Sequence, residues 1–258
     1  MANTALITGA SSGIGAEFAR LHAAKGGDVI LTARSDGPLN ELKAELEAAH
    51  GITAHVFALD IGAADGAQAL YDRVKAAGLQ VDILINNAGL GGHGKHTERA
   101  LADELAMIDL NVKALVSLTH AFGNDMAARG KGRILNVGST AGFMPGPYQA
   151  VYFATKAFVA SFSQAVDHEL RPKGVTVTVL APGYVETGFS KAANLEGTSL
   201  VKKANMSAAA VAKHGYDAMK MGQLVTVTEP MLSLAVNWII PLAPRRMILG
   251  LVAKMQKK

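Results

Sequence analysis

The sequence predicts an α/β fold, in which a doubly wound parallel sheet of about seven strands forms a single domain with an apolar helical C-terminal tail. Short apolar runs rich in β-branched residues alternate with longer segments that carry helical spacing. Several of these runs, such as Val175–Leu180, are almost continuously apolar, which is typical of strands covered by helices on both faces. A glycine-rich segment follows the first run, where the chain would turn from strand to helix.

The alternation places the individual elements in chain order. The predicted strands lie near residues 3–8, 28–33, 53–58, 81–86, 132–138, 175–181 and 223–228. The segments between them have helical periodicity; Leu42, Leu46 and Ala49, for example, line one face of the second helix. No linker rich in proline or serine divides the chain, so we expect one domain rather than two.

Composition and charge exclude several classes of protein. The 258 residues include no cysteine, which excludes disulfides and thiolate metal sites, and the eight histidines form no metal-ligand pattern. The N-terminal residues are typical of a first strand rather than a signal peptide, and we expect a cytoplasmic protein. The net charge is +4, and much of the excess lies in the tail after Arg245, where no aromatic residues are interleaved with the basic ones, so nucleic-acid binding is not expected.

The glycine-rich segment has the residues of a phosphate-binding loop. Glycines allow a tight turn and a close approach of the backbone to a pyrophosphate, and the N–H groups at the start of the next helix can bind its oxygens. The spacing differs from the commoner G-x-G-x-x-G, and a plain strand–helix turn is the alternative. The candidate residues for a Rossmann-type dinucleotide site are Gly9, Ser11, Ser12, Gly13, Ile14 and Gly15.

The end of the second predicted strand bears on the choice of dinucleotide. An acid at this point would accept a hydrogen bond from a ribose 2′-hydroxyl and repel a 2′-phosphate. The strand instead ends at Arg34, whose guanidinium can pair with a phosphate, so NADP(H) is favoured over NAD(H). Asp36 lies close by, but an aspartate before Gly37 and Pro38 is typical of a turn or a helix cap.

Residues after the third and fourth strands extend this candidate site. Asp60, followed by Ile61, can accept a hydrogen bond from an adenine amino group. Asn87, Ala88 and Gly89 supply an amide and small side chains that can border the adenosine. Since the carboxyl ends of parallel strands meet at one edge of a sheet, we expect these residues to lie beside the glycine loop.

Tyr152 and Lys156 form the candidate catalytic pair. Residues at i and i+4 project from the same face of a helix, and a nearby ammonium favours the phenolate, so we expect Lys156 to lower the pKa of Tyr152. Ser139 precedes Tyr152 by thirteen residues and offers a hydroxyl to a substrate oxygen. Together these groups can move a proton on and off an alcohol oxygen.

In the order of these motifs, the chain resembles the short-chain dehydrogenase/reductase family in its single-domain form. The resemblance extends from Ala5 to about Thr228. It rests on Thr8–Gly15, Asp60, Asn86–Gly89, Asn111, Ser139, Tyr152 with Lys156, and Pro182-Gly183 followed by Thr187.

The resemblance implies a role for each catalytic position. Tyr152 would exchange the proton with the substrate oxygen, Ser139 would hydrogen-bond that oxygen, and Lys156 would also hold the nicotinamide ribose. Asn111 would anchor a water that links Lys156 to solvent. The nicotinamide would be bordered by Pro182, Gly183, Val185 and Thr187. Such proteins usually assemble as dimers or tetramers, so a homodimer or homotetramer is expected.

Apolar residues predominate where a substrate would bind and along the end of the chain. The loop 140–148 carries no charge, which favours a hydrophobic carbonyl or alcohol as the substrate. We expect residues 1–228 to form the dinucleotide-binding and catalytic domain, with a substrate lid at about 188–222. Residues 229–258 would form a helical extension that packs over this domain or on a partner subunit; peripheral membrane contact is the alternative.

The sequence therefore predicts an NADP(H)-dependent oxidoreductase that interconverts a carbonyl and a secondary alcohol. We expect it to reduce a hydrophobic ketone or an oxoacyl-type substrate, with Tyr152 as the general acid/base. Two alternatives stay open at this point. One is an NAD-dependent alcohol dehydrogenase that runs oxidatively, and the other is a catalytically silent protein that binds NADP(H).

Overall fold

The computed structural model describes residues 3–198 and 206–257 of the chain. It contains one seven-stranded sheet in which every neighbouring pair of strands is parallel. The strands are β1 Thr4–Thr8, β2 Asp28–Ala33, β3 Ala54–Ala58, β4 Ile83–Asn86, β5 Gly132–Val137, β6 Val175–Ala181 and β7 Val225–Val227. The predicted doubly wound fold is thus confirmed, and each strand lies within about two residues of its expected position.

Helices connect the strands and cover both faces of the sheet. Their bounds are α1 Gly13–Ala23, α2 Asp36–His50, α3 Gly66–Ala76, α4 Leu101–Ile108, α5 Leu115–Ala128, α6 Ala150–Leu170, α7 Gly188–Ala192, α8 Ala208–Lys220, α9 Pro230–Leu234 and α10 Arg245–Gln256. A π-helical turn, Asp109–Ala114, joins α4 to α5. By length and composition the stretch Leu101–Ala128 could cross a membrane, but here it packs against α3, β5 and α6.

The strand order reverses at the centre of the sheet. The order is β3-β2-β1-β4-β5-β6-β7, so β1 and β4 are neighbours although two strands separate them in the chain. The connection from β1 leads to one side of this pair and the connection from β4 leads to the other. A crevice therefore opens above their carboxyl ends, which is where ligands bind in this type of sheet.

Two apolar cores lie on the two faces of the sheet. On one face α1, α2 and α8 pack on the central strands, with Phe18, Leu46 and Met219 almost fully buried. On the other face α3 and α5 contribute Leu70, Phe122 and other side chains. The strands therefore need apolar side chains on both faces, and this is the origin of their continuous apolar runs.

The predicted lid at about 188–222 has to be shortened. Its second half, α8, is a core helix, because its Val211, Tyr216 and Met219 are buried against α1 and the sheet. The described part of the lid is therefore Gly188–Thr198, which includes α7. Residues 199–205 of the predicted lid, and Lys258 of the predicted extension, lie outside the described residues.

A chain of buried amides ties the central strands to the helices below the crevice. The Asn86 side-chain amide on β4 donates to Asn136 Oδ1 on β5 at 2.9 Å and to Thr119 Oγ1 on α5 at 3.1 Å. Asn136 Nδ2 in turn donates to Ser163 Oγ on α6 at 2.8 Å. Because these groups are shielded from water, each relies on the next for its hydrogen bond.

Replacing Asn136 by alanine should lower the free energy of unfolding by roughly 1–3 kcal/mol, because it removes a partner from both Asn86 and Ser163. Urea unfolding followed by circular dichroism measures this change. Asn124→Ala is the matched control, since Asn124 is exposed on α5. Equal stability of the two variants would contradict a structural role for the amide chain.

Candidate active site

The glycine loop joins β1 to α1 in a conformation that depends on glycine. Gly9 and Gly13 have φ angles of +67° and +57°, in the left-handed region that side chains disfavour. Helix α1 begins at Gly13, and the Ser12 side chain that precedes it makes no capping hydrogen bond. The first turn also contains no acid. Its N–H groups and the positive end of the helix dipole are therefore available to an anion.

The loop is tied to the end of β4. Thr8 Oγ1 accepts hydrogen bonds from the N–H groups of Asn87 and Ala88 at 3.0 and 2.9 Å. The Asn87 side-chain amide donates to the Thr8 carbonyl at 2.9 Å. A Cβ on Gly9 would lie 3.0 Å from the Ala88 Cα, so this side of the crevice has no room for a larger residue. The predicted contact between the two motifs is observed.

Arg34 and Asp60 lie at the rim of the same crevice. The Arg34 side chain is exposed after β2, and it makes no hydrogen bond or ion pair with any other described residue. Asp36 is engaged locally: it begins α2 and accepts a hydrogen bond from the Asn40 side chain at 2.8 Å. Asp60 Oδ1 accepts from the Gly62 N–H at 2.9 Å, so this carboxylate also shapes the turn after β3.

Tyr152 and Lys156 project from α6 towards the end of β5. The Lys156 ammonium is buried, donates to the Val137 carbonyl at 2.8 Å, and lies 5.8 Å from the centre of the Tyr152 ring. Ser139 comes two residues after β5, and its Oγ accepts from the Ala141 N–H at 3.1 Å. The three predicted catalytic residues therefore meet at one point above the sheet.

Asn111 lies behind this group, held by the π-helical turn. Its Oδ1 accepts from the Leu90 N–H at 2.8 Å, and its Nδ2 donates to the Leu90 carbonyl at 2.9 Å and to Thr155 Oγ1 at 3.1 Å. Thr155 Oγ1 donates in turn to the Tyr152 carbonyl at 2.7 Å. Asn111 therefore holds the loop after β4 and the helix that carries Tyr152 in one arrangement.

Burial controls the protonation of the catalytic pair. Burial raises the pKa of Tyr152 to about 12, while the neighbouring Ser139 hydroxyl acts in the opposite direction. Burial also lowers the pKa of Lys156 to about 8. The expected lowering of the Tyr152 pKa by Lys156 is thus not observed. The loss of hydration is the largest cause, and the ammonium is directed at the Val137 carbonyl rather than at the phenol.

A cavity of about 870 Å³ connects the glycine loop to the catalytic residues. Most of the predicted site residues line it. The predicted site residues that line the cavity are Gly9, Ser11, Ser12, Ile14, Arg34, Asp60, Ile61, Asn87, Ala88, Gly89, Ser139, Tyr152, Lys156, Pro182, Gly183 and Val185. Gly13, Gly15, Asn111 and Thr187 are not on its surface. Thr187 instead caps α7 by accepting from the Phe189 N–H at 3.3 Å.

The far wall of the cavity is built by the C-terminal tail, residues 229–257. Leu232, Val236, Ile240 and Val252 of the tail line it, and α10 packs its Ile248 and Val252 against Phe153. The tail therefore covers the cavity of its own chain. With Phe189 of the lid, whose ring lies 5.7 Å from that of Tyr152, it gives this end an apolar surface.

A polar latch fixes the end of the tail. The buried Gln256 side chain donates to Gln149 Oε1 at 3.0 Å, and the His93 ring bonds the Gln256 carbonyl at 2.7 Å. Gln149 Nε2 and Gln256 Oε1 are buried without a partner among the described residues. They lie on two residues that line the cavity, beside the mostly apolar side chains of the tail and the acid Glu229.

Comparison with known families agrees with this arrangement of residues. The family model for short chain dehydrogenases matches residues 3–197, which include the glycine loop and all four predicted catalytic positions. The chain belongs to the short-chain dehydrogenase/reductase family. It is therefore an oxidoreductase of the type that acts on CH–OH and C=O groups.

Relatives within the short-chain dehydrogenase/reductase family carry different names. Sulfoacetaldehyde reductase 2 of Chromohalobacter salexigens is 40% identical over 192 residues, which is 74% of this chain and 75% of that protein. The human very-long-chain 3-oxoacyl-CoA reductase is 33% identical over 193 residues, 72% of this chain and 61% of that protein.

Solved structures of similar proteins include complexes with both nicotinamide dinucleotides. A short-chain dehydrogenase from Sphingobium yanoikuyae in complex with NADPH has a TM-score of 0.83 and 29% identity, covering 99% of this chain and 97% of that one. A short-chain dehydrogenase/reductase from Burkholderia phymatum in complex with NAD has a TM-score of 0.80 and 26% identity, covering 91% and 92%.

The residues of the crevice fit the nicotinamide dinucleotide that the short-chain dehydrogenase/reductase family binds. The uncapped N–H groups of α1 and the hydroxyls of Ser11 and Ser12 are suited to the pyrophosphate. The cavity continues from Arg34 and Asp60 at one end to Lys156 and Val185 at the other. The cavity is thus one connected groove whose residues match the chemical groups of such a ligand.

Several residues of the site were missed by sequence reasoning. Thr8 and Thr155 act through hydroxyl contacts that no spacing rule predicts, although Thr8 is part of the glycine motif. Gln149 and Gln256 are separated by 107 positions, and only the fold brings them together. A glutamine three residues before Tyr152 could have been noted from the sequence; its partner could not.

Replacing Lys156 by methionine should stabilise the protein at neutral pH, because it removes a buried ammonium. We expect the free energy of unfolding at pH 7 to rise by roughly 1–2 kcal/mol after the loss of the Val137 hydrogen bond. The pKa of Lys156 is about 8 in the folded state against 10.5 ordinarily, so the unfolded chain binds more protons between these values. Burial of the ammonium therefore costs its full free energy at pH values below the pKa of Lys156 in the folded state. This cost disappears as the pH rises towards the pKa of Lys156 in the unfolded chain.

Urea unfolding at a series of pH values checks this expectation. The gain of the Lys156→Met variant should shrink between pH 8 and 10.5. Lys131→Met is the control, since Lys131 is exposed, and it should show no such trend. A gain that is independent of pH would mean that burial of the charge is not its cause.

Proposed function

We propose that this protein is an NADP(H)-dependent oxidoreductase that interconverts a carbonyl and a secondary alcohol. We propose further that it reduces a hydrophobic ketone or an oxoacyl-type substrate. The observation that carries this proposal is the wall beyond Tyr152, where the tail and the lid present Phe189, Leu232, Val236 and Val252 to the cavity. A substrate with large apolar groups beside its carbonyl matches that wall.

The catalytic residues supply the proton and stabilise the charge on the substrate oxygen. Tyr152 donates its proton to that oxygen as the carbonyl is reduced, and Ser139 donates a hydrogen bond to the same oxygen. The buried Lys156 ammonium favours the phenolate that remains. The nicotinamide, when bound, supplies the hydride to the carbonyl carbon. Asn111 acts through its hydrogen bonds with Leu90 and Thr155, which hold the loop after β4 and helix α6 in fixed relative positions.

The protonation of Tyr152 is compatible with its role as the proton donor. Burial raises its pKa to about 12, so the phenol carries its proton at neutral pH. Reduction of a carbonyl begins from this protonated form.

The choice of NADP(H) is supported by the rim of the crevice. Arg34 lines the cavity and is free of any partner among the described residues, so its guanidinium can meet a 2′-phosphate. Asp36 does not line the cavity, and its carboxylate is held by Asn40. The described acid that does line this rim is Asp60, and its carboxylate accepts from the Gly62 N–H in the turn after β3.

The charges around the cavity disfavour a small anionic substrate. Among the described residues that line it, the cations are Arg34 at the dinucleotide rim and Lys156 at the catalytic centre. The apolar wall offers no counter-charge to a sulfonate such as that of sulfoacetaldehyde, the substrate in the name of the Chromohalobacter relative. An acyl chain, as in the name of the human relative, is better suited to this surface.

Assembly and compartment belong to the same proposal. We take the enzyme to be a cytoplasmic homodimer or homotetramer that acts on a small molecule. Exposed Leu101 and Leu105 on α4 and Phe158 on α6 offer apolar surface for association between subunits. The absence of cysteine is compatible with a reducing compartment.

Replacing Tyr152 by phenylalanine should lower kcat for ketone reduction at least ~100-fold, because the proton donor is lost. Binding of NADPH should be nearly unchanged, since the hydroxyl alone is removed. Rates with NADPH are measured on a panel of ring ketones, medium-chain 3-oxoacyl thioesters and sulfoacetaldehyde. Tyr71→Phe, on α3 and outside the cavity lining, is the matched control.

The panel separates the competing functions. Faster turnover of the apolar ketones than of sulfoacetaldehyde supports the proposed substrate class, and the reverse order would overturn it. If the unaltered protein binds NADPH and turns over none of the panel, the catalytically silent alternative is favoured. Full activity of the Tyr152→Phe variant would refute the assigned mechanism.

Arg34→Glu should raise the dissociation constant of NADPH roughly 10- to 100-fold, because a charge-assisted hydrogen bond to the 2′-phosphate is replaced by repulsion. The constant for NADH should change little. Isothermal titration with both dinucleotides measures the two values, and Arg73→Glu, an exposed arginine of α3, is the control. Equal weakening of both dinucleotides would show that Arg34 does not select between them.

A further inference from the structure

The outer surface of the C-terminal tail carries most of the exposed apolar side chains of the described chain. Thirteen large apolar residues are exposed among the described residues, and eight of them lie between Met231 and Leu251. These eight are Met231, Leu234, Trp238, Ile239, Leu242, Met247, Leu249 and Leu251. Trp238 is 69% exposed and Leu242 is 84% exposed. Such a concentration is unusual for surface that faces only water.

The tail has two apolar faces, and only one of them is used inside the chain. The inner face places Val236, Ile248 and Val252 in the core beside the cavity. On the outer side of α10, Met247 and Leu251 lie one turn apart, so they share a face that points away from the protein. Of the eight exposed residues only Met231 also lines the cavity, so covering the cavity does not account for the other seven.

The charge of the chain is concentrated in the same segment. Five of the 25 lysines and arginines, and none of the 21 acids, lie in residues 230–258. The other 229 residues thus carry 20 basic and 21 acidic side chains, close to balance. Within the described part, no carboxylate pairs with the exposed Arg245, Arg246, Lys254 or Lys257.

We propose that this outer face, Met231–Lys257, docks the protein on an anionic lipid surface. Exposed leucine, methionine and tryptophan side chains can enter the boundary between head groups and acyl chains, and the neighbouring basic side chains can meet lipid phosphates. A tryptophan is well suited to that boundary because its ring is apolar and its N–H is polar.

Charge argues against the other occupants of this face. In a symmetric pair of copies that packs tail against tail, the two basic segments would repel each other. A nucleic acid would be attracted by the lysines and arginines, but its phosphate backbone would not be stabilised by the exposed aliphatic side chains. An anionic bilayer matches both properties of the surface at once.

The test uses the full chain and phosphatidylcholine vesicles with or without phosphatidylglycerol. We expect flotation with the anionic vesicles and much weaker flotation with the neutral ones, decreasing as salt is added. Trp238 is the only tryptophan in the sequence, so its emission reports directly on the tail. Its maximum should move to shorter wavelength on anionic vesicles, and brominated lipid should quench it.

Two pairs of substitutions test the two properties separately. Arg245→Glu with Arg246→Glu, and Leu242→Ser with Leu251→Ser, should each weaken vesicle binding roughly tenfold or more. The matched controls are Arg73→Glu with Lys131→Glu for charge and Met221→Ser for exposed apolar area. They lie outside the tail and should bind as the unaltered protein does. All of these side chains are exposed, so the fold should tolerate the changes.

Several results would overturn the proposal. These are absence of binding to anionic vesicles, equal binding to both vesicle types, and equal loss in the control variants. Sedimentation velocity is measured on the same proteins without lipid. If the Leu242 and Leu251 substitutions dissociate an oligomer while Trp238 never responds to vesicles, the face is an interface between copies instead. None of these readouts depends on enzyme activity, so the result stands apart from the proposed reaction.

Discussion

The adjacency of β1 and β4 is the constraint on which the rest of the structure depends. Because the chain leaves these parallel strands towards opposite sides, the space above their ends stays open. Thr8 and Asn87 bind the two strand ends together at this point, so the opening has a fixed width. Every predicted catalytic or binding residue of the crevice follows a strand end or stands on a helix that packs beside it.

Much of this arrangement could be predicted from local patterns. Continuous apolar runs indicated the strands, and the spacing of Tyr152 and Lys156 indicated one helical face. The burial of α8 could not be predicted, because a helix that follows a loop can cover either a core or a pocket. The contact of Gln256 with Gln149, and that of His93 with the Gln256 carbonyl, depends on how the tail folds back over the cavity. No local pattern encodes that path.

The pKa of Tyr152 illustrates a different limit of the sequence. A lysine four residues away suggests a lowered value, yet the degree of burial decides the outcome, and burial is a property of the assembled pocket. The same lack of water lowers the pKa of Lys156, the opposite of its effect on Tyr152. The pair thus combines a well-protonated acid with a cation that the fold holds at a cost.

The wall that faces the substrate and the groups that transfer the proton lie in different parts of the chain. The family model matches residues 3–197, whereas the far wall of the cavity is built from residues 229–256. Selection can therefore alter that wall without disturbing the groups that handle the proton. Two relatives with closely similar catalytic halves can in this way come to act on unrelated molecules. The substrate of one such protein is therefore a poor guide to the substrate of another, and exchange of the terminal segment can change substrate selectivity.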